Sequence, residues 1–466
     1  MVEFILNNKT IRTNKPSGSL LLDFIRYDSG MTGTKIGCRE GDCGACMVLI
    51  GSLKNGLMQY RQVTSCLTPI GNAHGKQVVS IEGLNMSELS PVQHYMVETS
   101  GTQCGFCTIG FVVSLTAFCL SNKTPNYKDA IAAIDGNICR CTGYKSIERA
   151  AQHICNALAN KDTQASTQWL VDQKFIPNYF LSIPKRLVEI GVSKDDKTGE
   201  ITVGGGTDLY VQRHDELIDK DVNLITQIPD LTHIKLEKGV FTLGGGCTVT
   251  DLEESDLIAT CFPRLAEHIK LVSSSPIRNM STLAGNFVNA SPIGDFTAFF
   301  LALNTKITLS SHGNSRTIFL KDLYKGYKDL DKTNEEIITS LSFKAPDENN
   351  WFNLEKVSKR THLDIASVNT AAQISVKNDH FGDIHISAGG VGPIPIYLEK
   401  TCKYLKDQPI RSSTIKAAND ILQTEISPIS DVRGTAAYKR LLLRQLFYAH
   451  FIKLFPDQFS LNALTA

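Results

Sequence analysis

Apolar and polar positions follow two different periods along this chain, and each change of period marks a change of domain. Val2–Leu6 and residues 10–13 alternate around Asn7-Asn8-Lys9, which predicts a hairpin. Over residues 19–27 the apolar positions Leu20, Leu21, Phe24 and Ile25 share one helical face. Residues 47–50 and 77–81 read as strands, so the chain opens with a small β-rich unit. From about Ser90 the period becomes helical. Pro91 starts a helix carrying Val92, Tyr95, Met96 and Thr99, and Thr108–Leu120 continues as a strongly apolar one. Residues 127–135, and a last stretch running to about Ala159, complete four helices. Residues 160–174 are polar and aperiodic, which predicts an exposed linker.

Beyond Phe175 the pattern is mixed. Ile201–Val203 is a short strand leading through glycines into a helical segment, 210–215. Residues 241–246 repeat that pattern ahead of a helix over 250–256. Residues 317–343 predict a strand, a helix and a strand. Strands at 371–376 and 383–388, joined by Asn378-Asp379, are followed by amphipathic helices at 413–422 and about 434–454, the pattern of an α+β lobe.

With 466 residues and 42% hydrophobic content, the chain is long enough for several buried cores. Its 48 basic and 47 acidic residues balance, and no basic block stands out, so neither nucleic acid nor an anionic membrane is an expected partner. The N-terminus lacks the charged and apolar regions of a signal peptide. The longest nearly apolar run, residues 109–120, falls short of the roughly 20 residues that span a bilayer. A cytoplasmic location is expected. Of 13 cysteines, only Cys247, Cys261 and Cys402 lie beyond residue 160, and that clustering points to metal sites rather than disulfides.

The first cysteine group is Cys38, Cys43 and Cys46 in a C-x4-C-x2-C pattern, with Cys66 twenty positions later. This is the spacing of plant-type [2Fe–2S] ferredoxins. Gly37, Gly41 and Gly44 let such a loop fold round inorganic sulfur and aim backbone N–H groups at it. The plainer reading is a reduced, glycine-rich turn. The second group pairs Cys104-x2-Cys107 with Cys139-x-Cys141. Four thiolates could also hold structural zinc, but C-x-C is unusual in zinc ribbons, which favours a second [2Fe–2S] cluster. Cys119 and Cys155 fall on apolar helix faces and read as core.

Gly204-Gly205-Gly206-Thr207-Asp208 could hold a pyrophosphate on bare N–H groups, yet it is not G-x-G-x-x-G, so a Rossmann fold is not supported. Either glycine triplet could equally be a tight turn. Residues 278–295 bring hydroxyls, amides and a carboxylate together between apolar segments, which suits a ribityl chain or phosphates. A locally capped turn is the competing reading. His362, His380 and His385 are dispersed and read as structural or solvated.

These constellations, in this order, resemble the iron–sulfur and flavin portion of the molybdenum hydroxylases, the family of xanthine and aldehyde oxidases and carbon monoxide dehydrogenase. The layout is most similar to the small subunit of bacterial xanthine dehydrogenases. Residues 37–46 resemble the family's ferredoxin loop, 103–107 with 137–144 its second cluster motif, and 204–209, 281–295 and 356–368 its FAD-domain segments. The resemblance implies a multidomain α+β chain. Its parts are a β-grasp plant-type [2Fe–2S] ferredoxin domain at 1–85, a four-helix [2Fe–2S] domain at 86–160 and a linker at 161–174. A two-subdomain α+β FAD-binding domain of the molybdenum hydroxylase flavoprotein type follows at 175–346, and a C-terminal α+β lobe at 347–466.

It also implies ligands and contacts. Cys38, Cys43, Cys46 and Cys66 would hold one cluster, and Cys104, Cys107, Cys139 and Cys141 the other. FAD would lie across a cleft, its pyrophosphate on Ile201, Thr202, Val203, Gly204, Gly205, Gly206, Thr207 and Asp208. Thr282, Asn286 and Asp295 are the matching polar contacts, and Ile338 and Lys356 match positions lining the adenine or flavin end. Val272 stands where many relatives carry an aromatic, and Ile109 where a Pro commonly follows the second cysteine pair. Gln103 matches a residue that reaches toward the partner's pterin.

No catalytic side chain is expected here, because the substrate-oxidising molybdopterin centre is expected on a larger partner subunit, in an α2β2 assembly. Electrons would pass from it through the helical-domain cluster, then the ferredoxin-type cluster, to FAD and NAD+ during oxidation of hypoxanthine and xanthine to urate. The same scaffold serves aldehyde or N-heterocycle hydroxylases, and oxidases using O2. An assembly protein with vestigial metal sites is a further reading, and the eight intact ligand positions count against it.

Overall fold

A computed structural model describes every residue except 55, 192–198, 200, 361, 362 and 466; His362 therefore lies outside the described residues. The chain forms two compact units, one of residues 1–227 with 274–281, the other of 228–273 with 282–466. These are coarser than the expected domains. Both cluster domains share the first unit with the start of the flavin segment, and the rest of that segment shares the second with the C-terminal lobe.

In the first unit a five-stranded sheet runs in the order Lys9–Thr13, Val2–Leu6, Gln77–Val79, Met47–Lys54, Leu57–Thr64. Val2–Leu6 and Gln77–Val79 are parallel, and the other neighbours antiparallel. The short helix Leu21–Asp23 and the turn after it bury Leu21, Leu22, Phe24 and Ile25 against Phe4, Leu6, Val48 and Val78, completing a β-grasp core. Four helices follow: Pro91–Glu98, Thr108–Leu120, Tyr127–Ala133 and Lys145–Ala157. The first begins with a capping box between Ser90 and Gln93. Thr108–Leu120 is buried on nearly every side, which is why it has so little polar face.

Residues 160–174 differ from the exposed linker expected. They contain the helix Ser166–Asp172, whose Leu170 is fully buried in the helical-domain core. The buried Lys161 amine donates to the Cys119 carbonyl at 2.7 Å and to that of Ser121, closing the end of Thr108–Leu120. A helix of seven residues is under two turns long, so its apolar Trp169-Leu170 pair shows no period.

Among the described residues the second unit has two larger sheets and a two-strand ribbon. One runs antiparallel in the order Asn314–Phe319, Lys306–Ser311, Ile337–Lys344, Val240–Gly244, Ile234–Glu237. The helix expected between the strands of 317–343 is absent among the described residues. A single 3-10 turn, Leu320–Asp322, and a two-strand ribbon stand there instead. The other sheet runs Asn350–Val357, Val368–Lys377, His380–Gly389, Ile396–Tyr397. Asn378 and Asp379, with φ of 49° and 61°, make the mirror-image turn that suits a two-residue hairpin. Helices Ser412–Glu425 and Ala436–Leu454 cover this sheet, burying Ile415, Leu422, Phe447 and Phe451. His385 hydrogen-bonds Tyr397 within the sheet, and His380 is exposed at the turn, bonded to the Asn378 carbonyl. Among the described residues no helix is long and apolar enough to cross a membrane.

Candidate cluster and flavin sites

Cys38, Cys43 and Cys46 lie on the loop that enters the strand Met47–Lys54, and Cys66 on the turn Ser65–Leu67 that leaves Leu57–Thr64. Those two strands pair from Met47↔Thr64 to Lys54↔Leu57, so the hairpin register delivers Cys66 beside Cys46. Ser65 N–H donates to the Cys46 carbonyl at 3.3 Å, and the Ser65 hydroxyl donates to the same oxygen at 2.6 Å. The sulfurs fall into pairs. The hydrogen bond shared with Cys43 brings the Cys38 thiol down to about 4, and the same bond, with burial, pushes Cys43 up. Cys46 is held down by Cys66, and Cys66 pushed up by Cys46. Glu40 and Cys43 N–H groups donate to Cys38 Sγ at 3.3 and 3.4 Å, and Cys38 N–H to Cys43 Sγ at 3.4 Å. Backbone dipoles thus already point at sulfur, as a cluster's negative charge requires.

In the helical domain Cys107 immediately precedes Thr108–Leu120, and Cys139 and Cys141 lie on the loop before Lys145–Ala157. Cys104 and Cys141 sulfurs are 3.7 Å apart and exposed, while Cys107 and Cys139 form the inner pair. Burial, with Cys139 beside it, pushes Cys107 up to about 12. Burial raises Cys139, but the hydroxyl and amide of Thr142, at 3.1 and 3.4 Å from Sγ, together with the Cys141 amide and the Cys107 thiol, outweigh it and hold this thiol low. Gln103 is exposed beside this site. Among the described residues no three His, Cys, Asp or Glu side chains close on a single-ion position. Two pairs of sulfurs fit a two-iron cluster better than one tetrahedral ion.

The two cysteine loops touch. Ile138 N–H donates to the Cys43 carbonyl at 3.0 Å. A Cβ on Gly44, where φ is +71°, would lie 2.4 Å from the Gly136 carbonyl oxygen, so only glycine allows this approach.

Residues 274–281 run from the flavin segment into this same unit. The short helix Ser275–Arg278 sets its Ser275 N–H 2.8 Å and its Arg278 guanidinium 2.9 Å from the Asp135 carboxylate, while Asn279 Nδ2 donates to the Gln62 carbonyl. The strand Ile201–Val203 pairs in parallel with Val222–Leu224 and opens into 204–208. A Cβ on Gly205 would lie 1.9 Å from the Met280 carbonyl oxygen, and Gly206 has φ of +80°. The hydroxyls of Thr207 and Ser281 stand 3.4 Å apart. The helical segment expected at 210–215 is two single turns, Leu209–Gln212 and His214–Leu217, broken at Arg213. A pyrophosphate here would rest on loop N–H groups and hydroxyls rather than on a helix dipole.

In the second unit Thr282 caps Leu283–Asn289, its hydroxyl accepting from Gly285 N–H at 3.1 Å. Asn286 Oδ1 accepts from the Thr297 hydroxyl at 3.1 Å. Asp295 opens the helix Asp295–Leu301 and is bound on both oxygens. Lys356 Nζ stands 2.7 Å from Oδ2, and Asn369 Nδ2 donates to Oδ1 at 2.6 Å. Lys356 also donates to the Leu271 carbonyl at 2.6 Å. Val272 and Asp295 line a small hollow with His268, Phe296, Phe299 and Leu354. Ile338 is buried in its strand. The second glycine triplet is a packing device, since Cβ atoms on Gly244 and Gly245 would strike the carbonyl oxygens of Leu231 and Ile338 at 2.2 and 2.1 Å. Asn369 stands at this site without having been singled out from sequence; no motif marks it, and only cross-strand register reveals it.

Four family models match in sequence along the chain: a 2Fe-2S iron-sulfur cluster binding domain over 4–71, a [2Fe-2S] binding domain over 80–152, an FAD binding domain in molybdopterin dehydrogenase over 180–344, and a CO dehydrogenase flavoprotein C-terminal domain over 355–454. Xanthine dehydrogenase/oxidase of Mus musculus is 26% identical over 91% of this chain and 36% of its own length. Aldehyde oxidase 2 of Rattus norvegicus is 25% identical over 98% of this chain and 39% of its own. The chain thus spans under two fifths of these relatives. A solved chain of carbon monoxide dehydrogenase from Hydrogenophaga pseudoflava shares the fold at a TM-score of 0.50 and 23% identity, over 53% of this chain and 86% of that one. Two cluster domains, an FAD-binding domain and a flavoprotein C-terminal domain in this order place the chain in the molybdenum hydroxylase family, as its iron–sulfur and flavin part.

Proposed function

We propose that this chain carries electrons from a molybdopterin-bearing partner subunit to NAD+ in a cytoplasmic xanthine dehydrogenase oxidising hypoxanthine and xanthine to urate. The observation that carries the electron-transfer part is the arrangement of eight thiols in two sites, each built of two sulfur pairs. Cys38, Cys43, Cys46 and Cys66 are the ligands of the ferredoxin-type cluster, and Cys104, Cys107, Cys139 and Cys141 those of the helical-domain cluster. FAD is held by the 201–208 loop, by Thr282, Asn286 and Asp295, and by Ile338 and Lys356, with Val272 at its edge. Bound, the clusters supply single-electron carriage and FAD supplies the change to two-electron chemistry.

The chain's own side chains bind, orient and shield. The N–H groups of Glu40 and Cys43 favour negative charge on the Cys38 sulfur. Cys104 and Cys141 are exposed, whereas Cys46 and Cys66 are buried, which suits entry of electrons from another protein at the helical-domain site. No side chain is assigned acid–base work. Xanthine and NAD+ are favoured because both cluster domains share one chain with the flavin domain, and an α2β2 assembly goes with that reading.

The rat aldehyde oxidase matches nearly the whole chain at almost the same identity, which keeps an aldehyde or N-heterocycle hydroxylase, or an oxidase using O2, as the second reading. Co-purification from native cells, with molybdenum analysis and paired assays, separates them. Xanthine-dependent NAD+ reduction supports the first. Turnover of an aldehyde but not xanthine, or consumption of O2 without NAD+ reduction, supports the second. A purified chain holding zinc in place of iron would refute both.

A further inference from the structure

Lys356 and Asn369 are direct partners across the antiparallel strands Asn350–Val357 and Val368–Lys377, and both reach one carboxylate. Lys356 Nζ takes Asp295 Oδ2 at 2.7 Å, and Asn369 Nδ2 donates to Oδ1 at 2.6 Å. The same amide donates to the Ile293 carbonyl at 3.0 Å, and Gly390 N–H donates to the Pro292 carbonyl at 2.9 Å. The sheet therefore grips the turn before Asp295–Leu301 at its backbone as well as at its acid.

The amide orientation follows from chemistry. Both neighbours are acceptors, so the NH2 group must face them. A Cβ on Gly389, the cross-strand partner on the other side, would lie 2.3 Å from Asn369 Oδ1. That missing side chain is what admits the amide. Asn369 is fully buried, and among the described residues its Oδ1 has no hydrogen-bond partner. An amide with an orphaned acceptor is a poor choice for stability alone. Leucine would fill the same space without that penalty, so the two donors are what the site uses.

We infer that Asn369 is a positioning residue of the flavin site: together with Lys356 it fixes the Asp295 carboxylate in one orientation toward bound FAD. This rests on the reading of Asp295 and Lys356 as FAD contacts. A lysine alone would leave the carboxylate free to rotate about its Cβ–Cγ bond. A second donor, on the other oxygen, removes that freedom before FAD arrives and lowers the ordering cost of binding it.

The test uses the full chain with both clusters, comparing Asn369→Leu, Asn369→Ser, Gly389→Ala and Asp295→Ala. FAD affinity is read by flavin fluorescence after reconstitution, the bound flavin by its absorbance bands and midpoint potential, and the clusters by electron paramagnetic resonance. Asn369→Leu and Gly389→Ala are expected to raise the FAD Kd about tenfold and to shift the flavin potential in the direction Asp295→Ala shifts it, with both cluster signals intact. Should Asn369→Leu fail to fold, Asn369→Ser, too short to reach the carboxylate, carries the same expectation. If Asp295→Ala weakens FAD while both Asn369 variants bind it normally at an unchanged potential, the inference is overturned and the flavin site stands. A fall in thermal midpoint with normal FAD affinity and potential also overturns it, as a purely structural role. If Asp295→Ala leaves FAD affinity unchanged, the assignment of Asp295 to the flavin site fails first.

Discussion

Cys43 shows how much one position carries. Its sulfur accepts from Cys38 N–H, its own N–H donates to Cys38 Sγ, and its carbonyl receives Ile138 N–H from the other cysteine loop. Cys43→Ser is expected to remove the ferredoxin-type cluster signal while FAD and the helical-domain signal persist; under the function proposed above, it also slows NAD+ reduction by xanthine. Normal turnover with that signal gone would refute the proposed relay order. Gly37 makes the same point sterically, because a Cβ there would lie 2.6 Å from Cys43 Sγ. Gly37→Ala should therefore cost the chain about two irons while leaving all eight cysteines in place, as metal analysis would read. The cysteines stand out in the sequence because their spacing matches a known ligation pattern. Asn369 does not, because its meaning lies in a register between strands that no single stretch of sequence displays.

At the scale of elements, the segment 274–281 has a role that its own sequence does not announce. It leaves the second unit, packs on the cluster domains and returns. Arg278, its side chain 7% exposed, meets Asp135 next to the helical-domain cysteine loop. Without Arg278 the Asp135 carboxylate keeps, among the described residues, only its Ser275 donors, a loss of about 2 kcal/mol for one charge-assisted hydrogen bond. Arg278→Leu is expected to lower the denaturant midpoint of the cluster-bearing unit, with Arg278→Leu/Asp135→Asn recovering part of the loss. Equal stability of wild type and single variant would show the pair to be solvated. The helix Thr108–Leu120 was readable to the residue from the length of its apolar run. The strand Leu57–Thr64 was not, because most of it is only partly buried and its alternation is blurred. Yet that strand brings Cys66 to Cys46. The seven-residue helix in the expected linker was missed for want of length.

At the scale of the whole molecule, the order of domains was legible from motifs, whereas the polar interior of the second unit was not. His450 is fully buried, hydrogen-bonded to Asn353 at 2.9 Å and to Thr370 at 3.3 Å, and Arg264 donates to the same Asn353 at 2.8 Å. Burial, with Lys453 and His268 nearby, holds His450 down to about 3; burial, with Arg264, holds His268 down to about 4. The unfolded chain would protonate both near 6.5. Above that pH both states are neutral and the contribution to stability is complete. As pH falls through 6.5 the unfolded chain takes up protons that the folded one refuses, so stability falls by up to about 1.4 kcal/mol per pH unit for each histidine, down to about pH 4. Ion-paired acids such as Glu336, held down to about 2 by Arg316, lose their contribution only as pH falls from the ordinary carboxylate range towards 2, so the two effects separate on the pH axis. Urea midpoints measured from pH 7.5 to 5 should stay level down to about pH 6.5 and decline below it. His450→Gln, which cannot take up a proton, should be weaker at pH 7 yet decline about half as steeply. A wild-type midpoint that stayed flat across this range would mean that these histidines open to solvent well before the unit unfolds, and that its polar core is not the closed network its hydrogen bonds describe.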